Sequence, residues 1–577
     1  MDKSNQVKQK KKVSSQTAPS NNFTILDKIE NYLVNNRIVV VLCILSISLI
    51  LSILTFDVKI SIGHDDALYI ESANRWSKGF TDYFYTANAP LYVMFLILPI
   101  KIWGLNLIVL KLFSVLFFLG SIWFFFKAFE KRISYTVLFS SLFITSINWF
   151  ILSYASLTYT ECFFMFITSI FLLSYFRLIE KVDIPNWTIK STIGNWLILG
   201  FLLMILSISR NIAVVSFFAV MVYFLIRTQW KAAFFSLVSF GIFRGLYEVL
   251  RNMIWGKEAL LSDQTEIILR KEAYNASAGY EDFAGFLNRF VGNSEIYLSG
   301  RLWEILGFKK ESTDFSPLLT LLVIVFLIVG LIQLIKKKEK FTLAAYLFSG
   351  AIIGATFFAL QTSWGQGRFM MIHLPILLIV FFFLIKNWFK NYGYLYILLF
   401  LIFSFVGFNK TISSAKINMK YLPKNLKGDL FAGYTDDWEN YLKLSKWCGD
   451  SLPVNSKIAC RKAPMSFVYA SNLSFFPIYS VKTNDADTIY SILKKNKVTH
   501  VIFANLRLDS KQSGDIMSIP QGNMPSIFLA YQDQDQKSII NTVHNYFAPL
   551  AQRNPEMFQL IKIVGNDEEA LLYKINY

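Results

Sequence analysis

The chain has 577 residues, of which 54% are hydrophobic and 55 are phenylalanine. Soluble domains have an apolar share of about 45–50%, so this composition excludes an ordinary soluble enzyme and indicates a multi-pass membrane protein. The net charge of +18 does not indicate nucleic-acid binding, because the excess Lys and Arg flank apolar runs and form no basic stripe on a soluble segment.

The N-terminal segment, residues 1–37, begins with the polar and basic sequence MDKSNQVKQKKKVSSQTAPSNN. Such a composition cannot bury enough apolar surface to fold alone, so we expect a disordered cytoplasmic segment. The apolar run that follows is long enough to span a membrane, which predicts an uncleaved first helix and not a signal peptide.

Apolar stretches long enough to cross a membrane recur along the chain, since a spanning helix needs roughly twenty predominantly apolar residues. Eleven stretches meet this measure, at 38–56, 107–127, 133–152, 160–177, 193–209, 211–227, 232–250, 316–335, 341–360, 368–387 and 393–409. Residues 90–104 are apolar but short, which predicts a half-length or interface-lying segment. Two further short crossings would raise the count to thirteen without changing the topology.

Lys and Arg in short loops predict which side of the membrane each loop faces, because cytoplasmic loops collect these residues. The basic loops all fall on the side of the N-terminus; they are 127–132, 177–182, 227–231, 336–340 and 386–391. The rule therefore predicts a cytoplasmic N-terminus. It places the loops 57–106 and 251–315 outside, with helical stretches expected at TEIILRKEAYN and FLNRFVGNSEIYLSGRLWEIL.

After Asn409 the composition changes from that of a transmembrane domain, 38–409, to that of a soluble segment of roughly 170 residues, a normal domain size. Candidate helices and strands alternate from DDWENYLKLSKWCGD to FQLIKIVG and ALLYKIN. This pattern predicts an extracytoplasmic α/β domain over 410–577. No P-loop, G-x-G-x-x-G or G-x-S-x-G motif occurs, so the sequence does not support a cytoplasmic nucleotide-driven machine.

An adjacent carboxylate pair, Asp65 and Asp66, lies about ten residues beyond the first predicted span. A carboxylate at a membrane face requires a reason to be there. The pair can be a solvated loop start or a helix cap, for which acids are favoured. It can equally supply a general base, because two acids in a partly desolvated pocket repel each other and one pKa rises.

Further charged residues lie at predicted outer helix ends. Glu161 starts one span, Arg210 lies where two apolar segments meet, and Arg368 opens a late span. Each has a structural interpretation, since Glu161 can stabilise a helix N-terminus and the arginines can snorkel to the interface. Guanidinium groups also bind phosphate bidentately, which makes both arginines candidates for an anionic ligand.

The run DDALYIESANRWSKGFTDY, followed by NAPLY, resembles the first outer loop of the GT-C glycosyltransferases. This superfamily includes the dolichyl-phosphate-mannose protein mannosyltransferases and the bacterial aminoarabinose transferases that modify lipid A. The residues in the motif positions are Asp65, Asp66, Tyr69, Ala73, Gly79, Pro90 and Leu91. Asn88 and Ala89 depart from the family, which usually has a basic residue and a Pro there. The resemblance covers roughly residues 38–230 and 361–375.

The resemblance implies an α-helical multi-pass membrane protein of GT-C type with about 11–13 transmembrane helices and a C-terminal extracytoplasmic α/β domain. It implies an inverting glycosyltransferase, which moves a hexosyl or pentosyl group from a polyprenyl-phosphate donor to a lipid, polysaccharide or protein acceptor at the outer face of the cell membrane. The alternative from another class is a transporter or flippase of a lipid-linked saccharide, in which polar residues gather near the bilayer midplane.

The resemblance also implies roles for individual residues. Asp65 is expected to be the general base, with Asp66 and Glu161 orienting it or the acceptor. The donor phosphate and the rest of the substrate are expected to contact Arg210, Arg368, Tyr69 and Asn88. The resemblance does not imply any definite cofactor. A divalent cation remains an option, and its candidate ligands are Asp65, Asp66, Glu161 and His64.

Overall fold

A computed structural model describes residues 25–63, 65–256, 263–272, 275–310, 314–478, 485–504, 506 and 542–577. The helices of the first half are α1 (Ile25–Asn35), α2 (Arg37–Leu54), α3 (Asp65–Lys78), α4 (Leu91–Trp103), α5 (Leu107–Phe129), α6 (Tyr135–Ser146), α7 (Trp149–Ala155), α8 (Thr160–Val182), α9 (Ile189–Ser209), α10 (Ser216–Ile226) and α11 (Trp230–Trp255). A 3₁₀ turn, Asn211–Val215, precedes α10.

The middle of the chain begins with a short helix and a hairpin, followed by further helices. The elements are α12 (Asp263–Leu269), β1 (Arg270–Glu272), β2 (Asn275–Tyr280), α13 (Phe283–Glu295), α14 (Leu302–Ile305), α15 (Pro317–Lys336), α16 (Lys340–Ala359), α17 (Arg368–Met371), α18 (Leu374–Trp388) and α19 (Gly393–Leu426). A π-helical turn, Ile296–Arg301, joins α13 to α14.

Eight helices in the described part of the chain are long and apolar enough to cross a membrane, namely α2, α5, α8, α9, α11, α15, α16 and α19. A ninth candidate is the pair α6 and α7, which is bent by 59°. The bend has a local cause: Asn148 caps α7 by accepting hydrogen bonds from the backbone N–H groups of Phe150 and Ile151. Shorter apolar helices are α4, the segment Asn211–Ile226 and α18.

The eleven predicted spans each coincide with one of these helices or helix pairs, so the multi-pass membrane architecture is confirmed. The basic loops also lie together on one face of the helix bundle, because ion pairs join them to each other and to the first helices. These pairs are Arg37–Glu130, Arg132–Glu180, Arg227–Asp183, Lys340–Asp183 and Lys386–Glu30. We call the opposite face, which carries residues 57–91, the site face. That this face is the outer one stays a prediction.

Helix α4 does not carry the chain across the bundle. It begins at Leu91 on the site face, and only three residues separate its end from the start of α5. In the second turn of α5, Lys111 Nζ donates to the carbonyl oxygens of Lys59 and Ser156, which lie in loops of the site face. The short apolar stretch 90–104 therefore returns to the face from which it came, as expected of a half-length segment.

Disorder was expected over residues 1–37, but residues 25–35 form α1; residues 1–24 lie outside the described part of the chain. The helix is fixed by contacts that are distant in sequence. Glu30 accepts hydrogen bonds from the backbone N–H groups of Tyr135 and Thr136 at the start of α6, and Leu26 is buried beside Gly393. The carboxylate thus caps another helix, which stabilises α1 against the bundle.

The stretch TEIILRKEAYN was expected to be helical, but the helix ends at Leu269 and the strand β1 follows. Arg289 explains the break, since its guanidinium donates to the carbonyl oxygens of Ile268 and Arg270 and pairs with Glu281 at 2.8 Å. These carbonyls are therefore satisfied without a further helical turn. The second predicted stretch is helical in α13 and α14.

A small α/β domain follows α19. Its elements are α20 (Asp436–Ser451), β3 (Lys457–Cys460), α21 (Ala463–Ala470), β4 (Ser474–Pro477), α22 (Ala486–Lys495), β5 (His500–Ala504), α23 (Thr542–Arg553), β6 (Phe558–Val564) and β7 (Ala570–Ile575). The sheet order is β4-β3-β5-β7-β6, with β4, β3 and β5 parallel and β7 antiparallel to β5. The predicted alternation of helices and strands is confirmed.

The α/β domain packs directly on the membrane helices. Every residue of α21 is buried, and this helix lies against α3. The apolar core of the helix bundle continues into the domain through Trp438, Tyr441 and Leu442 of α20. Helix α19 runs without a break past Asn409, where the domain boundary was expected, and ends at Leu426. The exact boundary stays a prediction.

Candidate active site

The acid pair forms the first turn of α3, where carboxylates interact favourably with the helix dipole. Asp66 is fully buried, and its carboxylate accepts hydrogen bonds from Ser61 N at 2.9 Å, Ser61 Oγ at 3.1 Å and Ala67 N at 2.9 Å. Burial raises the pKa of Asp66 to about 6, while the charge of Lys111 and these hydrogen bonds act in the opposite direction. Asp66 therefore fixes the turn that precedes α3.

Asp65 is the more accessible member of the pair, with 29% of its side chain exposed. Its Oδ2 accepts a hydrogen bond from Arg368 Nη1 at 2.6 Å, which forms a charge-assisted contact between α3 and α17. The two neighbouring aspartates thus have different environments. Asp66 is enclosed by its own loop, whereas Asp65 pairs with the guanidinium of Arg368 from another helix.

Glu161 lies in the first turn of α8 and is almost completely buried. Its Oε1 accepts a hydrogen bond from Arg210 Nη1 at 3.2 Å and lies 4.0 Å from Arg368 Nε. Its Oε2 and the Nε of Arg368 are both buried and have no hydrogen-bond partner among the described residues. Buried polar atoms in this condition are costly, which makes these two atoms candidate contacts for a ligand.

The two arginines are held by the same aromatic ring. The centroid of the Phe369 ring lies 5.3 Å from Arg210 Cζ and 5.2 Å from Arg368 Cζ. Arg368 also lies 5.6 Å from the centroid of Tyr159, and Arg210 lies 5.8 Å from that of Phe164. Such cation–π contacts hold guanidinium groups in place while leaving their N–H donors available.

Four of the predicted site residues therefore meet at one place on the site face. They form a connected series, Asp65–Arg368–Glu161–Arg210, which we call the ion-pair chain. Its members come from four helix ends, at the starts of α3, α8 and α17 and just after the end of α9. The chain contains two acids and two guanidinium groups, so its formal charge is balanced.

Tyr69 and Asn88 lie further from the ion-pair chain. Tyr69 is buried with its ring edge-on to the rings of Tyr92 and Tyr159. Burial raises the pKa of Tyr69, and the negative charges of Asp65 and Glu161 act in the same direction. Asn88 Nδ2 donates to Tyr85 OH at 3.2 Å, and the Tyr85 ring packs 6.3 Å from that of Tyr69.

The loop 361–368 brings Arg368 to the site by close backbone approach. A Cβ on Gly367 would lie 2.8 Å from the Phe150 ring, and one on Gly365 would lie 2.7 Å from Ile296. Arg301 Nε donates to the carbonyl oxygen of Gly365 at 2.5 Å. Only glycine fits these two positions without a shift, so the sequence WGQGR sets the direction from which Arg368 enters the site.

Several residues of the site were missed by the sequence analysis. Tyr159, Phe369 and Lys111 all contact or support the predicted residues, and Lys462 approaches them from the α/β domain. Lys111 carried a readable signal, since it is a charged residue inside an apolar stretch predicted to span the membrane. Tyr159 and Phe369 could not be distinguished from the many interfacial aromatic residues.

The described residues do not present a divalent-cation site. No group of three or more His, Cys, Asp or Glu side chains that could hold a metal ion occurs among them, and His64 lies outside the described residues. The carboxylates are also already used, since Asp65 and Glu161 pair with guanidinium groups and Asp66 accepts hydrogen bonds from its own loop. We therefore derive no step through a metal.

No protein-family model and no curated protein sequence matches the chain. Among solved structures, the oligosaccharyltransferase of Archaeoglobus fulgidus in complex with zinc and sulfate matches with 12% identity and a TM-score of 0.53, over 81% of this chain and 68% of that one. ArnT from Cupriavidus metallidurans bound to undecaprenyl phosphate matches over 92% of this chain and 97% of its own, with 10% identity; its TM-score of 0.47 is too low to support a shared fold by itself. On the first match, the chain has the fold of the GT-C membrane glycosyltransferases.

Proposed function

We propose that the protein is an inverting glycosyltransferase that moves a sugar from a polyprenyl-phosphate carrier to an acceptor hydroxyl at the site face. The observation that carries this proposal is the ion-pair chain, which sets two carboxylates and two guanidinium groups side by side on the site face. Glycosyl transfer from a lipid phosphate needs both kinds of group, a base for the acceptor and cations for the leaving phosphate.

Asp65 is the general base of the proposed reaction. It is partly exposed, whereas the carboxylate of Asp66 is enclosed by Ser61 and Ala67. The acceptor oxygen attacks the anomeric carbon, its proton passes to Asp65, and the bond from that carbon to the phosphate oxygen breaks. The bonding electrons leave with the phosphate. Attack from the side opposite the leaving group inverts the anomeric centre in one displacement.

Glu161 orients a hydroxyl of the acceptor or of the sugar. Its Oε1 is paired with Arg210, but its buried Oε2 has no hydrogen-bond partner among the described residues. A carboxylate oxygen in this condition accepts a hydrogen bond from an incoming hydroxyl at little cost, because its desolvation has already occurred on folding.

Arg368 and Arg210 meet the charge of the departing phosphate. Each is stacked on Phe369 and donates to a carboxylate through Nη1. A phosphate competes with these carboxylates for the same donors, since guanidinium binds both with similar geometry. When Arg368 turns to the phosphate, its bond to Asp65 is released. Donor binding therefore frees the base, which predicts that the donor binds before the acceptor is deprotonated.

The rival assignment, a transporter or flippase, is less consistent with the position of the charged residues. The ion-pair chain lies at helix ends on the site face, under the α/β domain. Transporters place their substrate sites near the bilayer midplane, on interrupted helices. The predicted outer location of the site also agrees with the use of a lipid-carried sugar, since nucleotide sugars are cytoplasmic.

A direct test uses the purified protein with membranes from a strain that lacks it, so that the membranes supply donor and acceptor. The proposal predicts that a polyprenyl phosphate is released in step with the appearance of a glycosylated product, both measured by mass spectrometry. The D57N variant is the matched control for D65N. Asp57 lies in the loop that precedes Asp65, has 28% of its side chain exposed and pairs with Lys59. Movement of an unchanged lipid-linked sugar across vesicles without any product would support the transporter instead.

A further inference from the structure

The α/β domain reaches the acid pair through the link between β3 and α21. Strand β3 ends at Cys460, and Arg461 and Lys462 connect it to α21, which packs on α3. This link leaves the carboxyl end of a parallel strand, and the loops at that edge of a sheet are where α/β domains place functional groups. Lys462 is therefore presented by the domain to the membrane helices.

Lys462 is 5% exposed, and its Nζ donates to the carbonyl oxygen of Ile62 at 2.9 Å. Ile62 lies in the turn just before the acid pair, and its neighbour Ser61 binds the carboxylate of Asp66. The Lys462 ammonium thus holds the turn through the carbonyl oxygen of Ile62, and the carboxylate of Asp66 holds the same turn through Ser61. The backbone of Lys462 is itself anchored, because its N–H donates to Tyr441 OH at 3.1 Å.

The loop before the acid pair is held by hydrogen-bond donors from the membrane helices and from the region after α19. Carbonyl oxygens at three of four successive positions accept hydrogen bonds from side chains. The contacts are Lys111 Nζ to Lys59 O at 2.5 Å, Tyr434 OH to Ile60 O at 2.7 Å and Lys462 Nζ to Ile62 O at 2.9 Å. Two of the three donors come from the region after α19. The position of Asp65 therefore depends on that region as well as on the membrane helices.

The charge of Lys462 also bears on the acid pair. Burial and the charge of Arg461 lower the pKa of Lys462 to about 8, while the negative charges of Asp65 and Asp66 act in the opposite direction. Lys462 is thus largely protonated at neutral pH, and its positive charge interacts favourably with the negative charges of the two aspartates. The other charged groups around the pair are Lys111, which faces Asp66 from α5, and Arg368, which pairs with Asp65 from α17.

We propose that Lys462 is a positioning residue of the active site, which the α/β domain supplies to hold the turn before Asp65 and to stabilise the ionised acid pair. The inference rests on the proposed function, since it assigns a role in the same reaction. It gives the α/β domain a part in positioning the catalytic acid pair, in addition to any part in recognising the acceptor. Lys462 acts through Ile62 and the aspartates and is not proposed to touch the substrate.

Three substitutions separate the contributions. K462M removes the charge and the donor, K462Q keeps a donor without the charge, and K462R keeps both. The control is K446M, because Lys446 is a half-exposed lysine of α20 that pairs with Asp450 one turn further along the same helix. Each variant is purified in full length, its melting temperature is recorded, and its binding of undecaprenyl phosphate is measured. Its transfer activity is then followed from about pH 5 to pH 9 with membranes as the source of donor and acceptor.

We expect K462M to lower transfer by about tenfold to a hundredfold, because small displacements of a catalytic group have effects of this size. Its binding of undecaprenyl phosphate should stay within about twofold of wild type, since the proposed phosphate ligands are Arg210 and Arg368 and not Lys462. The acid limb of its pH profile should move up by about one pH unit, because the acid pair loses a stabilising charge. K462R should recover most of the activity and the original acid limb.

K462Q keeps the inference testable if K462M does not fold. It is expected to retain part of the activity but to show the shifted acid limb. Wild-type activity and an unchanged pH profile in K462Q or K462M would overturn the inference. So would a loss in K462R equal to that in K462M, since this would indicate packing and not charge. Absence of transfer in the wild-type protein would instead count against the proposed function itself.

Discussion

Arg368 Nη1 donates to Asp65 Oδ2 at 2.6 Å, although the two residues are 303 positions apart in the sequence. The contact joins the start of α3 to the start of α17. It holds Asp65, the proposed base, against Arg368, which is proposed to bind the phosphate. It follows that the base is neutralised by an arginine until a competing anion arrives. In the proposed reaction, the same contact links donor binding to activation of the acceptor.

The first prediction concerns binding of the lipid phosphate to a D65N variant. Replacing Asp65 removes the carboxylate that competes for Arg368, so undecaprenyl phosphate should bind more tightly, by up to about tenfold. Binding to the purified protein can be measured by the ligand-dependent rise in melting temperature or by titration calorimetry. The D57N control should bind as wild type does. Weaker binding in D65N would contradict the competition between carboxylate and phosphate.

The second prediction concerns the arginines. R368K and R210K keep a positive charge but lose the planar, bidentate donor set and the stacking on Phe369. Each should weaken binding of undecaprenyl phosphate by about tenfold. R177K is the control, because Arg177 is exposed on α8, the helix that carries Glu161 at its other end. Equal binding in R368K, R210K and R177K would show that neither arginine is a phosphate ligand.

The third prediction concerns the loop that delivers Arg368. In G367A the new methyl group would lie 2.8 Å from the Phe150 ring, so the loop or the ring must shift. We expect transfer to fall by about tenfold or more, because Arg368 follows directly in the chain. G350A is the matched control on α16, where an added Cβ meets no atom within 4 Å. The second-site variant F150L should recover activity in G367A; no recovery would mean that the loss has another cause.

The fourth prediction concerns pH and Asp66, whose pKa is raised by burial to about 6. In the unfolded chain an aspartate has a pKa of about 3.9, so between about pH 4 and pH 6 the folded protein holds more protons than the unfolded one. Stability from this group is therefore greatest below about pH 4 and falls as the pH rises to about 6. Asp66→Asn does not titrate.

The measurement is the melting temperature of wild type and D66N over that range. The melting temperature of D66N should rise relative to that of wild type as the pH rises from about 4 to about 6. Above about pH 6 the difference between the two melting temperatures should stay constant. D57N supplies the control for loss of another carboxylate in the same loop. A constant difference between wild type and D66N across the range would contradict the raised pKa.

The sequence predicted most of the architecture because its signals were local. The apolar stretches, the basic loops and the alternating pattern after Asn409 each depend on neighbouring residues, and each reappears in the structure. By contrast, α1 is fixed by the contact of Glu30 with the start of α6, and the break after Leu269 is fixed by Arg289. Contacts between distant residues leave no periodic signal in one sequence.

The site shows the same division. Glu161, Arg210 and Arg368 could be selected because each is a charged residue at the end of an apolar stretch, and Asp65 because it belongs to an acid pair in the loop after the first span. Their pairing could not be predicted, since it depends on how four helix ends meet. Lys462 had no signal at all, because a lysine between a strand and a helix of a soluble domain is ordinary until its contact with Ile62 is seen.

The central claim, glycosyl transfer with Asp65 as the base, is tested most directly by complementation of a deletion strain. Wild type, D65N and D57N are expressed at equal levels, and the glycosylated product is quantified by mass spectrometry. We expect wild type and D57N to restore the product, whereas D65N should lower it by a factor of about 10² or more while still binding undecaprenyl phosphate. Full restoration of the product by D65N would contradict it.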